Sequence, residues 1–179
     1  MSETLFKILL VEDDEDDYIL TSALLGEIKG TRYEIDWVSS YADALSGMCA
    51  ENHDVCLVDY RLGEGTGLEL IRQAVKDGCH TPFILLTGQG DKEIDFEAAE
   101  AGAADYLVKG ELESAVLERS IRYAVRNAKM NETLRESENR FRSVIESASD
   151  AIVLTEGEGR VFSWHKGAEN IFEIGRAHV

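Results

Sequence analysis

Five short apolar runs recur at intervals of roughly 25 residues: Leu5 to Val11, Tyr33 to Val38, Val55 to Val58, Phe83 to Leu86 and Asp105 to Val108. The first, third and fourth are almost unbroken Ile, Leu, Val and Phe, the pattern of strands buried on both faces of a parallel sheet. Between them the apolar positions take helical spacing: Ile19, Ala23 and Leu24 within Tyr18 to Ile28; Ala42, Leu45 and Cys49 within Ala42 to Ala50; Leu68, Ile71 and Val75 within Leu68 to Val75; and Ile94, Ala98 and Ala101 within Ile94 to Ala101. Strict alternation of strand and helix predicts a doubly wound, five-stranded parallel α/β sheet.

The pattern changes after Leu112. From there to about Ala148 it predicts one long helix, or two in register, with an apolar stripe through Leu117, Ile121, Ala124 and Ala128 that shifts to Leu134, Phe141, Ile145 and Ala148. Beyond about Ala128 the surface is dense in mixed charge, which suits either a solvated connector or a coiled-coil homodimer through the 112–148 helix. Two short strands, Ala151 to Thr155 and Arg160 to Trp164, flank the turn Glu156-Gly-Glu-Gly159 and predict a hairpin.

Composition narrows the function classes. The 179 residues carry 35 acidic against 18 basic side chains, a net charge of −17, which opposes binding to a polyanion such as nucleic acid. No run of 18 apolar residues occurs, so no membrane span is predicted, and the N-terminus lacks the pattern of a signal peptide. Cys49, Cys56 and Cys79 have neither zinc-ligand nor framework spacing. Three reduced thiols and a cytoplasmic location are the expectation.

In a doubly wound sheet, ligands sit beyond the C-terminal ends of the strands. The residues there are Glu12 and Asp13, followed by Asp14, Glu15, Asp16 and Asp17, then Asp59, Thr87 and Lys109. Acids in the first turn of a helix favour its dipole, and that accounts for the outer four. Glu12 and Asp13 instead end a buried strand, where adjacent carboxylates repel and call for a cation. Hard oxygen donors without His or Cys suit Mg²⁺. Asp59 precedes a loop with three glycines, Tyr60 to Gly67. A carboxylate beside a metal can attack phosphorus, and a metal, an ammonium and a hydroxyl can meet the oxygens of a transferring phosphoryl group.

Val11-Glu-Asp13, the Asp59 to Gly67 loop, Thr87-Gly88 and Ala104-Asp-Tyr-Leu-Val-Lys109 resemble, in order and spacing, the landmarks of response-regulator receiver domains, a flavodoxin-like fold of the CheY type. The resemblance covers residues 5 to about 128. It implies that Asp59 accepts a phosphoryl group from a sensor histidine kinase or phosphotransfer protein, and that Asp13, Asp59 and the backbone carbonyl of Arg61 hold Mg²⁺, with Glu12 acting through metal-bound water. It further implies that Thr87 and Lys109 grip the phosphoryl group, and that Tyr106 turns inward as Thr87 moves. Such a domain catalyses its own phosphorylation and dephosphorylation without being a conventional enzyme. Gly63 and Gly110 stand where that family often has proline, and Arg61 and Gln89 occupy places thought to tune aspartyl-phosphate lifetime. A haloacid-dehalogenase-like phosphatase would need a second Asp at the place of Arg61, and a dimerisation adaptor would not need the acidic site.

Residues 135–154, then Gly157 to Phe172, resemble the start of a PAS sensor domain, about a third of its length. The expected organisation is a receiver over 1–128, a helical connector over 129–148, an incomplete α+β PAS start over 149–172, and a non-native tail over 173–179, whose Glu173-Ile-Gly-Arg-Ala-His-Val179 resembles translated sequencing adapter.

Overall fold

The computed structural model describes residues 4–48, 52–63, 65–88, 92–147, 153–155, 157 and 161–164. The chain divides into two compact units, Met1–Lys129 and Met130–Val179. In the first, β1 (Thr4–Val11), β2 (Thr31–Val38), β3 (Val55–Asp59), β6 (Phe83–Thr87) and β7 (Asp105–Val108) form one parallel sheet in the order β2-β1-β3-β6-β7. The helices α1 (Glu15–Glu27), α2 (Tyr41–Met48), α3 (Gly67–Lys76), α4 (Lys92–Ala101) and α5 (Ser114–Ser147) follow the five strands in turn. A small antiparallel pair, β4 (Arg61–Leu62) and β5 (Gly65–Thr66), interrupts the connection from β3 to α3. The apolar runs did not foretell this pair.

Alternate residues of each strand serve opposite faces. Leu9, Val11, Cys56, Val58 and Leu85 pack with Ala44 of α2, Leu70, Ile71 and Ala74 of α3, and Ala98 and Ala101 of α4. Ile8, Leu10, Leu57, Ile84 and Leu86 pack with Leu25 of α1 and with Leu117, Ile121, Ala124 and Val125 of α5. Burial of β3 and β6 along their whole length explains why their sequences are continuous rather than alternating.

Two helix faces differ from the expectation. In α1 the buried residues are Thr21 and Leu25, while Ile19 is 54% and Leu20 50% exposed. In α2 they are Ala44 and Met48 rather than Ala42, and Cys49 lies outside the described residues. The stripes of α3 and α4 sit largely as expected: Leu68, Ile71, Ala98 and Ala101 are buried, whereas Val75 is exposed. Cys56 is a buried free thiol, pushed up to about 12 by burial, but Cys79 is disulfide-bonded, which corrects the expectation of three reduced thiols.

A single helix spans Ser114–Ser147 after a short 3₁₀ turn at Lys109–Glu111. In the second unit β8 (Val153–Thr155) and β9 (Val161–Trp164) pair antiparallel, forming the expected hairpin. Among the described residues no helix is long and apolar enough to cross a membrane. Residues 165–179, including the supposed tail, lie outside the described residues.

Candidate functional site at the strand ends

Four strands bring residues at or just past their C-terminal ends to one cleft. Glu12 follows β1, Asp59 and Thr87 end β3 and β6, and Lys109 follows β7; all four line an open depression of about 480 Å³ together with Asp13, Asp17, Arg61 and Gly88. Glu12, Asp59 and Thr87 are buried, whereas Asp13 is exposed.

The backbone fixes the acids individually. The Glu12 amide donates to the Val38 carbonyl at 3.1 Å, and the Trp37 indole Nε1 donates to the Glu12 carbonyl at 2.8 Å. Trp37 stacks on Tyr18 of α1 with ring centroids 4.4 Å apart, so an aromatic pair braces the end of β1. Asp13 Oδ2 accepts from the Gly63 amide at 3.0 Å, and Asp59 Oδ2 accepts from the Arg61 amide at 2.7 Å. A proline at position 63 would have no N–H to give Asp13, so Gly63 supplies a contact that the more common residue would remove.

Gly67 closes the loop after Asp59. Its amide donates to the Tyr60 carbonyl at 2.9 Å, and a Cβ built there would lie 2.1 Å from the Asp59 carbonyl oxygen and 2.9 Å from Val58 Cγ1. Only glycine lets α3 start so close to the backbone of Asp59. Thr66 then caps α3, accepting from the Glu69 amide while Glu69 accepts from the Thr66 amide.

Lys109 is the hub of the charges. Its Nζ lies 2.6 Å from Glu12 Oε2, 2.6 Å from Asp59 Oδ1 and 2.5 Å from Asp17 Oδ2. Burial alone would lower the Lys109 ammonium, but Asp17, Asp59 and Glu12 outweigh it and hold the group above its ordinary range. Glu12 is pushed up to about 7, chiefly by burial and further by the negative charge of Asp59, with Lys109 opposing. Burial raises Asp59 as well, against the opposing ammonium.

One lysine thus faces three carboxylates, and the buried acids remain costly to ionise. Glu12, Asp13 and Asp59 each offer an oxygen, all within 4.8 Å of one another. That all-oxygen donor set and the raised Glu12 and Asp59 fit a hard divalent cation such as Mg²⁺.

The sequence reads Asp14, Glu15, Asp16 and Asp17 alike as helix-dipole acids, and Asp17 departs from that reading. Asp14 Oδ1 accepts from the Asp16 and Asp17 amides as the N-cap of α1, while the Asp17 side chain reaches Lys109. Nothing in the sequence separates the two, because both sit in one acidic run. Trp37 was likewise missed; its only signal was an aromatic at a strand end. Tyr106 is half-buried on β7 and packs against the core face shared with α4, and Gln89 lies outside the described residues.

Known proteins resemble this chain in sequence and fold. The response regulator receiver domain family matches residues 8–121. The two-component response regulator PhoP of Pseudomonas aeruginosa is 29% identical over 141 residues, 79% of this chain and 57% of that protein. The response regulator RppA of Synechocystis is 35% identical over 106 residues, 58% of this chain and 44% of that protein. The chain therefore spans about half the length of these curated relatives. Among solved structures, a CheY-like receiver from Methanospirillum hungatei superposes with a TM-score of 0.59 at 26% identity, covering 72% of this chain and 99% of that one. The receiver domain of a Pseudomonas aeruginosa sensor histidine kinase, with magnesium coordinated in its active-site cleft, superposes with a TM-score of 0.57 at 26% identity, covering 67% and 97%. A match across 8–121 takes in the buried half of β1, the other four parallel strands and every acid of the cleft, and the chain belongs to the response regulator receiver domain family.

Proposed function

We propose that this chain is a two-component receiver that takes a phosphoryl group onto Asp59, with Mg²⁺ held by Glu12, Asp13, Asp59 and the backbone carbonyl of Arg61. The observation that carries the reading is the position of Asp59: a buried strand-end carboxylate, oriented by the Arg61 amide, against Lys109 and within a three-carboxylate cluster. Bound there, the metal would neutralise charge on the acids and on the incoming phosphoryl oxygens.

The donor is a phosphohistidine of a sensor kinase or phosphotransfer protein. An Asp59 oxygen bonds to phosphorus as the P–N bond breaks, and the released imidazole takes a proton from solvent. Lys109 is close enough to Asp59 to follow the new charge. Thr87 ends the neighbouring strand β6 and would donate its hydroxyl to a phosphoryl oxygen, and Tyr106 on the adjacent β7 would occupy the space that a displaced Thr87 vacates. Arg61 and Gln89 tune the lifetime of the product. The signal passes along α5 to a PAS-type module, a reading supported by the antiparallel β8–β9 hairpin.

Incubation with Mg²⁺ and a small phosphodonor, followed by intact-mass measurement, tests the core of this reading. The wild type gains one phosphoryl mass and Asp59→Asn gains none. Equal labelling of the two would remove Asp59 from the mechanism.

A further inference from the structure

The exposed large hydrophobic side chains of α5, among its described residues, are Tyr123, Met130, Leu134, Phe141 and Val144, each 53–61% exposed. They do not scatter. Counting along the helix, the positions 123, 127, 130, 134, 137, 141 and 144 are separated by alternating steps of four and three, and this one series contains all five. Such spacing is the seam of a left-handed coiled coil rather than the broader stripe that packs on a sheet. Upstream, the face of α5 that does pack on the sheet is a different one, through Leu117, Ile121, Ala124 and Val125.

We propose that this seam joins two copies of the chain in a parallel, in-register, two-stranded coiled coil over residues 123–144. Three features select a second copy. The series is self-complementary, since a heptad stripe presents to its own copy the holes its knobs require. Asn127 takes one of the positions equivalent to Leu134 and Phe141, and an asparagine there pairs its amide donor and acceptor with the counterpart residue, which fixes two strands in register. The third feature is area. Five side chains losing roughly 100 Å² each, plus the flanking stems of Arg126 and Arg140 over about 33 Å of helix, bring each copy to on the order of 600–800 Å², close to the share of a standard interface.

Charge agrees with this placement. A chain of net −17 carries seven basic against five acidic residues within α5, so the long helix lacks the acidic excess that would drive two copies apart. In the parallel register Arg126 faces Asn131 of the other copy, Thr133 faces Glu138, and Arg140 faces Ile145, so no flanking pair sets like charges together.

Sedimentation equilibrium of the whole chain is expected to show a monomer–dimer equilibrium in the micromolar range, and Leu134→Glu combined with Phe141→Glu to leave a monomer with unchanged phosphorylation of Asp59. Under oxidising conditions Ser137→Cys, on the seam, cross-links to its counterpart above the background of the parent chain, whereas Asn139→Cys, on the outer face, does not. A wild type that stays monomeric at hundreds of micromolar, a trimer, a double variant that remains dimeric, or a dimer in which Ser137→Cys fails to cross-link would each overturn the proposal. None of these outcomes depends on whether Asp59 is phosphorylated.

Discussion

Asp17 occupies Lys109 at the same time as Glu12 and Asp59, although it is the most exposed of the three acids. On the proposed function a phosphoryl group on Asp59 would draw on that ammonium, so Asp17 would compete with the product. Replacing it by Asn keeps the volume, removes the charge and relieves an interaction worth about 1 kcal/mol at a partly exposed site, which corresponds to about a fivefold faster phosphorylation by a small donor. A stopped-flow or mass-resolved time course checks this, and a slower Asp17→Asn would mean that the acid positions Lys109 instead of competing for it. Glu12 makes a second test. Its carboxyl sits at about 7 in the folded chain against 4.5 unfolded, so between these values the folded state holds a proton that the unfolded state has released, and stability falls as pH rises. Mg²⁺, held by the ionised Glu12 as proposed, would offset that loss. The melting temperature gained on adding Mg²⁺ is therefore expected to be larger at pH 8 than at pH 5.5. A gain independent of pH would place the metal away from Glu12.

At the scale of elements, Gly67 links the β3 end to the start of α3. A methyl at that residue would meet the Asp59 carbonyl at 2.1 Å, and the obstacle is backbone that cannot rotate away. Gly67→Ala is expected to destabilise the fold by on the order of 3 kcal/mol and to slow labelling of Asp59, read by urea unfolding and by mass. A neutral result would mean that α3 can slide without disturbing the strand end. The strands themselves were legible, since β3, β6 and the second half of β1 are buried on both sides and write that burial as almost unbroken apolar runs. The inward faces of α1 and α2 were not. In α1 the apolar residues Ile19, Leu20, Leu24 and Leu25 surround the helix, so spacing alone points nowhere, and packing against the sheet selects Thr21 and Leu25. Glu12, Asp13, Asp59, Thr87 and Lys109 were readable because each follows an apolar run, a position that sequence marks directly. Asp17 was hidden by a sufficient local explanation, and the Gly63 and Arg61 amides are backbone donors that no residue pattern announces.

On the scale of the whole molecule, α5 belongs to both compact units: its first turns close the sheet through Leu117, Ile121, Ala124 and Val125, and its remainder runs into the second unit. Residues 1–129 contain both apolar faces of the sheet, every acid of the cleft and the Lys129–Asp54 ion pair, and among the described residues every member of the two core clusters lies within this unit. A chain ending at Lys129 is expected to fold, to melt within about 3 °C of the longer chain at low concentration, and to label on Asp59 at the same rate. The two should part as concentration rises. Binding that favours the folded state raises its melting temperature by mass action, so the longer chain melts higher with increasing concentration while the 1–129 chain does not change. Because a coiled coil that orders α5 also steadies the turns packed on the sheet, added stability in the dimer reports coupling between the long helix and the receiver core. Identical concentration dependence of the two chains would instead locate self-association within the receiver and leave the distal helix as a solvated strut.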